Sequence, residues 1–240
     1  MNNKNIQKYI KDSFSKLGLS LSGNQIKMFN KYINFLIKEN KKYNLTSITK
    51  PEEIVKLHFL DSAAIFSKKD IKGKVIDIGT GAGFPGFVIK ILRPEIELTL
   101  LESSLKKVNF LKLLQIELDM YQDIEVLHER AEDLAQNNNY RFTYDIVTSR
   151  AVAPLNILLE YTAPFCNMNG VILLYKGPSF KEELDTAQNS LNKLNLKFKK
   201  AWELEIPLLK GSRYILEFTR KGEILDKYPR RPGIPKKRPL

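Results

Sequence analysis

The sequence predicts an α/β protein built on a mostly parallel sheet, and three observations carry that expectation. Short apolar runs alternate with helix-length segments between residues 74 and 194, which implies parallel strands joined by right-handed crossovers. The run Val75–Ile78 leads into Gly79, Gly81, Gly83 and Gly86, and Phe87, Val88, Ile89, Ile91 and Leu92 follow at once. Strand, glycine turn and helix mark the place where an α/β protein lets a ligand approach its backbone. Finally, Phe198–Ile206 and Tyr214–Thr219 are strand-like but separated only by a short connection containing Pro207, Lys210 and Gly211. They predict a terminal antiparallel hairpin, giving a sheet of seven strands.

The elements follow in order. Ser22 and Gln25 have the spacing of a capping box. Ile26, Phe29, Ile33, Leu36 and Ile37 then recur at helical spacing, with Lys27, Lys31, Lys38 and Glu39 opposite. Thr49 and Glu52 read as a second helix start, and Ile54, Leu57, Phe59, Leu60 and Ala64 supply its apolar surface. Residues 1–70 are thus a helical extension, ending in the charged connector from Asp70 to Lys74. Strands are expected at 74–78, 97–102, 124–127, 144–149 and 170–175, and helices at 85–92, 104–118, 155–166 and 179–194. Pro85 falls at the first helical position, where a missing N–H has no consequence. Residues 71–220 form the ligand-binding domain and 221–240 a basic, proline-rich tail.

Composition narrows the function classes. The chain has 240 residues, 43% of them hydrophobic, enough for one large α/β domain with an extension. No segment reaches the ~18 uninterrupted apolar residues that span a bilayer, and Met1–Lys16 is polar. A lone cysteine, Cys166, forms no internal disulfide, and with only His58 and His128 beside it no metal site is expected. These features point to a cytoplasmic protein away from membranes. The net charge is +12, and half of it lies between Lys227 and Leu240, in Lys227, Arg230, Arg231, Lys236, Lys237 and Arg238. Pro229, Pro232, Pro235 and Pro239 keep that tail extended. It is either a solvated tail or a phosphate-binding arm; six contacts to single-stranded phosphates would give a log–log salt slope of roughly −4.

Two ligands compete for the glycine turn. Gly81–Gly86 matches the dinucleotide pattern G-x-G-x-x-G, and Glu102 ends the next strand 21 residues after Gly81, near the spacing of a ribose-binding carboxylate. Asp77, however, stands two residues before Gly79, and a carboxylate there repels a pyrophosphate and suits a cationic head. S-adenosylmethionine, with an ammonium and a sulfonium but no phosphate, is favoured over a nicotinamide or flavin dinucleotide. The ligand is expected outside the C-terminal strand ends. The polar residues there are Asp77 and Gly79, then Glu102, Ala131 with Glu132, Ser149 with Arg150, and Lys176 with Gly177.

With these residues in view, the chain resembles the bacterial 16S ribosomal RNA guanine-N7 methyltransferases, also called glucose-inhibited division protein B. The resemblance covers nearly the whole length. It rests on Tyr43–Thr46, His58–Ser62, Asp77–Gly86 (with Phe84-Pro85-Gly86), Ser149–Ala151, Lys176-Gly177 and the tail Lys227–Gly233. It implies a Rossmann-like class I S-adenosylmethionine-dependent methyltransferase fold and cofactor contacts at Gly79, Phe84, Ala131, Glu132 and Arg150, beside the Asp77, Gly81, Gly83 and Glu102 read from the turn. The implied partner is 16S rRNA of the small ribosomal subunit, and the implied substrate a guanine in the hairpin near its decoding site. S-adenosylhomocysteine is the product, and a monomer is favoured.

Guanine N7 carries a free lone pair, so such an enzyme needs no general base, and the sequence offers none: His58 falls in a helix well before the site and reads as structural, and His128 merely follows a strand. Catalysis would rest on alignment, which supplies on the order of 7–11 kcal/mol. Arg150 is expected to pair with the cofactor carboxylate and, with Lys176, to position the reactants. Lys176, Arg213 and the tail cations are expected to hold RNA. The competing readings are a dinucleotide-dependent oxidoreductase, opposed by Asp77 and the terminal hairpin, and a non-catalytic ribosome-binding module, opposed by the intact glycine set.

Overall fold

In a computed structural model, which describes residues 3–209 and 211–240, the strands form one seven-stranded sheet of order β3-β2-β1-β4-β5-β7-β6. Met1, Asn2 and Lys210 of the hairpin connection lie outside the described residues. The parallel strands are β1 (Lys74–Ile78), β2 (Glu97–Glu102), β3 (Ile124–His128), β4 (Tyr144–Arg150) and β5 (Cys166–Lys176). The antiparallel hairpin of β6 (Leu196–Leu204) and β7 (Arg213–Arg220) closes one side, with β7 against β5. Strand order reverses between β1 and β4, which puts a crevice outside their carboxyl ends.

Two helical layers cover the sheet. On one face lie α1 (Asn3–Lys16), α2 (Gly23–Tyr43), α5 (Gly86–Leu92) and α6 (Leu105–Glu117). A composite segment joins them: α3 (Pro51–Ile54), a π turn (Val55–Leu60), α4 (Asp61–Ala63) and a 3₁₀ turn (Ala64–Ser67). The Ser22–Gln25 capping box forms as expected at the start of α2. The extension is not a separate body: Phe29, Tyr32 and Phe59 share one core cluster with Phe84, Phe87 and Leu100. The opposite face carries α7 (Ala131–Leu134), α8 (Leu155–Thr162), α10 (Gln188–Lys193) and the tail, and α9 (Phe180–Thr186) packs on α8.

The structure corrects several boundaries. Lys50, not Thr49, is the N-cap of α3 and makes no side-chain cap bond; Pro51 instead opens the helix. Pro85 caps α5 one residue outside it, and the Phe84–Pro85 peptide is cis. The expected helix over 155–166 ends at Thr162, and Pro164 turns the chain through a 3₁₀ segment into β5. The expected helix over 179–194 breaks at Ala187 into α9 and α10.

The tail departs furthest from expectation. It is neither free nor wholly extended: Tyr228, Pro229 and Pro235 are buried, and a short helix α11 (Ile234–Lys237) forms. Leaving β7 near the start of β5, where Arg220 bonds the Cys166 carbonyl (3.1 Å), the tail crosses α8. The hydroxyl of Ser190, which also bonds Asn156 at the start of α8, donates to the Leu240 carbonyl at 3.3 Å.

Candidate active site

Alternation along β1 decides how the glycine turn is supported. Val75 and Asp77 face the α5 layer while Ile76 and Ile78 face the α8 layer. Asp77 is therefore fully buried beneath the turn, and its Oδ2 accepts the Gly86 N–H at 2.9 Å. Burial pushes its carboxyl up to about 6. This corrects the sequence expectation: Asp77 does not line the cleft to meet a cationic head, because its side chain holds the start of α5.

The turn consumes its own donors. The N–H groups of Gly79 and Thr80 bond the Leu101 carbonyl (2.8 and 3.2 Å), and those of Gly83 and Phe84 bond the Thr80 carbonyl (3.0 and 2.9 Å). Gly81 N–H donates to Glu102 Oε2 (3.0 Å). A dinucleotide turn does the opposite, presenting unpaired N–H groups and an open helix N-terminus to the pyrophosphate. Glycine is required at Gly83, with φ +95°, because a Cβ there would sit 2.6 Å from the Tyr32 hydroxyl. At Gly81 a Cβ would meet nothing nearer than 4.0 Å, so that position opens onto the cleft.

The cleft has a volume of about 660 Å³. Gly79–Ala82 and Phe84 from the turn, Arg150 and Ala151 after β4, and Lys176 and Gly177 after β5 line it. Leu45, Thr46, Leu57, His58 and Asp61 come from the helical extension, and Lys107, Glu183, Arg213 and Tyr214 complete the rim. Glu102 sits behind Gly81, 5% exposed, with Oε1 accepting the Ser104 N–H at 2.9 Å and Lys107 Nζ 3.8 Å from Oε2. Each carboxylate oxygen retains acceptor capacity.

Phe84 lies between two rings, Tyr32 at 5.2 Å and His58 at 4.4 Å, both nearly parallel to it. Tyr32 donates its hydroxyl to the Ala82 carbonyl, tying the extension to the turn. Arg150 packs over the Phe84 ring and donates to Asp61 Oδ2 (2.6 Å), the Leu57 carbonyl (3.1 Å) and His58 Nδ1 (3.2 Å). A guanidinium only donates, so His58 Nδ1 must carry a lone pair and Nε2 the proton, which goes to Thr46 Oγ1 at 3.0 Å. Burial, then the neighbouring Arg150 charge, push His58 down to about 3. His58 thus belongs to the site, contrary to the sequence expectation, as a neutral ring in a π turn that bulges toward the cleft. His128 lies apart, its Nε2 3.1 Å from the Ser103 carbonyl.

Other expected site residues are placed differently. Lys176 reaches the cleft, but its ammonium is engaged by Glu183 Oε2 (2.7 Å) and the Ala153 carbonyl (2.9 Å). Glu183 also accepts the N–H of Leu155, so the pair braces the start of α8. Arg213 remains on the rim, 36% exposed, with Nε 3.6 Å from Asp61. Ala131 is buried in the core cluster that holds Ile78 and Leu101, while the Glu132 carboxylate turns onto the tail and accepts the Gly233 N–H at 3.1 Å. Ser149 is buried and donates to the Ile78 carbonyl. Of the tail cations, Arg230 is corrected: Nε and Nη2 bond the fully buried Glu160 at 2.9 and 2.6 Å, because a buried carboxylate requires a partner. Lys227, Arg231, Lys236, Lys237 and Arg238 are exposed.

Sequence reasoning from the residues missed Tyr32, Thr46, Asp61, Lys107 and Glu183. The available signal was His58 and Asp61, three apart on one helical segment.

A seven-stranded sheet of this order, with a terminal antiparallel hairpin and an acidic residue closing β2 behind a glycine turn, is the Rossmann-like class I S-adenosylmethionine-dependent methyltransferase fold. The mitomycin 7-O-methyltransferase MmcR shares it with a TM-score of 0.57 at 15% identity, covering 78% of this chain and 60% of that one. M. jannaschii TYW2 in complex with AdoMet shares it with a TM-score of 0.51 at 13% identity, over 67% and 74%. Sequence similarity is more specific. The rRNA small subunit methyltransferase G profile matches residues 25–210. The ribosomal RNA small subunit methyltransferase G of Caldanaerobacter subterraneus is 43% identical over the full length of both chains. That of Carboxydothermus hydrogenoformans is 40% identical over 96% of this chain and 98% of its own. The chain belongs to the rRNA small subunit methyltransferase G family.

Proposed function

We propose that this chain transfers a methyl group from S-adenosylmethionine to guanine N7 in 16S rRNA, at the hairpin near the decoding site. Family membership supports rRNA methylation. The observation that supports the donor is the glycine turn, where the N–H groups of Gly79, Thr80, Gly81 and Gly86 are satisfied internally by Leu101, Glu102 and Asp77. That arrangement suits a ligand without phosphates and disfavours the dinucleotide alternative.

The residues present fit the donor. Gly79 and Gly81 give its body close backbone approach, Glu102 has free lone pairs for two ribose hydroxyls, and the backbone of Ala131 and Glu132, at the carboxyl end of β3, would flank them. Arg150 faces a carboxylate from the rim. When bound, S-adenosylmethionine supplies an electrophilic methyl carbon on a sulfonium. The chain's own residues orient and exclude. Asp61 and His58 fix Arg150, the Tyr32–Phe84–His58 stack fixes the turn, and Lys176 with Glu183 fixes the wall opposite. His58 cannot accept a proton at neutral pH, because its free lone pair faces a guanidinium. A reaction at N7, whose lone pair needs no deprotonation, matches such a site. Arg213 and the exposed tail cations would contact RNA phosphates.

The test is transfer of a tritiated methyl group to small subunits from a strain lacking the gene, followed by mass mapping of the 16S rRNA. The proposal expects one 7-methylguanine in the decoding-site hairpin. A label at any other atom or nucleotide, or none, refutes it.

A further inference from the structure

The tail motif that stood out in the sequence is tied to the turn that follows β3. Helix α7 is a single turn at the carboxyl end of β3, too short to hold itself. Its first residue, Ala131, is buried in the same core cluster as Ile78 and Leu101, the residues that lead into the glycine turn and Glu102. Three hydrogen-bonded links tie α7 and the residues just after it to the tail. The Glu132 carboxylate, 5% exposed, accepts the Gly233 N–H at 3.1 Å. Gln136 Nε2 donates to the Pro229 carbonyl at 3.3 Å. Arg141 bridges the Ala135 and Tyr228 carbonyls at 3.1 and 2.9 Å. The tail is itself fastened by Arg230, which grips the fully buried Glu160.

We infer that the C-terminal tail is a positioning strap: docked through Arg230 and Glu160, it holds Glu132 and with it the α7 turn after β3, which the proposed reading sets beside the donor, so that its loss lowers affinity for the methyl donor. The inference rests on the proposed reading of the cleft as a donor site. It separates two roles within one segment. Arg230 anchors the tail on α8 and Gly233 bonds α7, while Lys236, Lys237 and Arg238 are exposed and bear on RNA.

The experiment compares the intact chain with a variant lacking residues 232–240 and with the triple substitution Lys236→Ala, Lys237→Ala, Arg238→Ala. Calorimetry with S-adenosylmethionine gives donor affinity, hydrogen exchange follows the amides of residues 131–135, and thermal melts without ligand report folding. The strap predicts a donor Kd raised about tenfold in the deletion, faster exchange at 131–135, and wild-type values for both in the triple variant. Should the deletion fail to fold, Arg230→Ala and Arg230→Lys replace it. The lysine, which keeps a cation on Glu160, is expected to restore much of the donor affinity that the alanine loses. A deletion that binds donor as the intact chain does, and loses only RNA affinity, overturns the strap. An intact chain that binds no S-adenosylmethionine would remove the reading of the cleft itself.

Discussion

At the residue scale the sharpest case is His58. Its ring is neutral in the fold down to about pH 3, against an ordinary value of 6.5 in the open chain. Between those values the unfolded chain binds the extra proton, so this group's stabilisation is present above pH 6.5 and lost as pH falls. Asp77, raised to about 6, acts with the opposite sign: the native state binds more protons between pH 3.8 and 6, and its contribution shrinks as pH rises. Replacing His58 with Gln should therefore flatten the acid side of the stability curve; urea melts at pH 4.5 and 7 measure it, and an unchanged pH slope contradicts the assignment. Heteronuclear NMR should show His58 as the Nε2–H tautomer at pH 5. The two inner glycines should also part company. Gly83→Ala drives a methyl group into Tyr32 and Phe87 and should cost about 2 kcal/mol or more of stability. Gly81→Ala meets no wall, so it should cost about 1–2 kcal/mol through its backbone while losing donor binding. None of this partnership was legible from residue types, because Tyr32 and His58 lie 52 and 26 residues before Phe84 in the chain.

At the element scale four of the five parallel strands were readable to within a residue, whereas β5 begins at Cys166, four residues before the expected strand. Val75–Ile78 and Leu98–Leu101 are apolar runs buried on both faces, and such runs carry a signal that does not depend on their partners. Helix ends were less readable. Ala187 and Pro164 break segments whose apolar periodicity continues past them, and a break inside a pattern is set by packing. The β1–α5 turn was recognised by its glycines, yet Asp77 was misread. Its position two residues before Gly79 fixed which strand it ends, while the pleat decided that it points under the turn. Asp77→Ala should expose this: with the Gly86 N–H left unpaired, stability should fall by about 1–3 kcal/mol, and donor affinity should fall with it through a loosened turn. Calorimetry and melting in one buffer decide between that outcome and loss of affinity alone, which a direct ligand contact would give.

For the whole molecule, the partition of charge matters more than its total. The +12 excess suggested six cations in a loose arm, but Arg230 is committed to a carboxylate 70 residues earlier in the chain. No local pattern announces a buried Glu160 in α8, since glutamate in a helix is ordinarily solvated. Arg230→Ala should destabilise the fold by about 3–5 kcal/mol, the cost of stranding a buried charge, measured by urea unfolding. Replacing Lys236, Lys237 and Arg238 together should leave stability within about 0.5 kcal/mol and lower the log–log salt slope of RNA binding by about 2. Titrations at several salt concentrations test it; an unchanged slope would move the RNA elsewhere on the surface.

The self-satisfied turn has a consequence for life among abundant nucleotides. ATP, ADP and the pyridine dinucleotides share an adenosine with the methyl donor and compete for any crevice that welcomes one. Here the amides of Gly79, Thr80, Gly81, Gly83, Phe84 and Gly86 are already bonded within the protein, so discrimination is built into the resting loop and requires no gate. Methylation assayed in a large excess of ATP over donor should run at its unhindered rate.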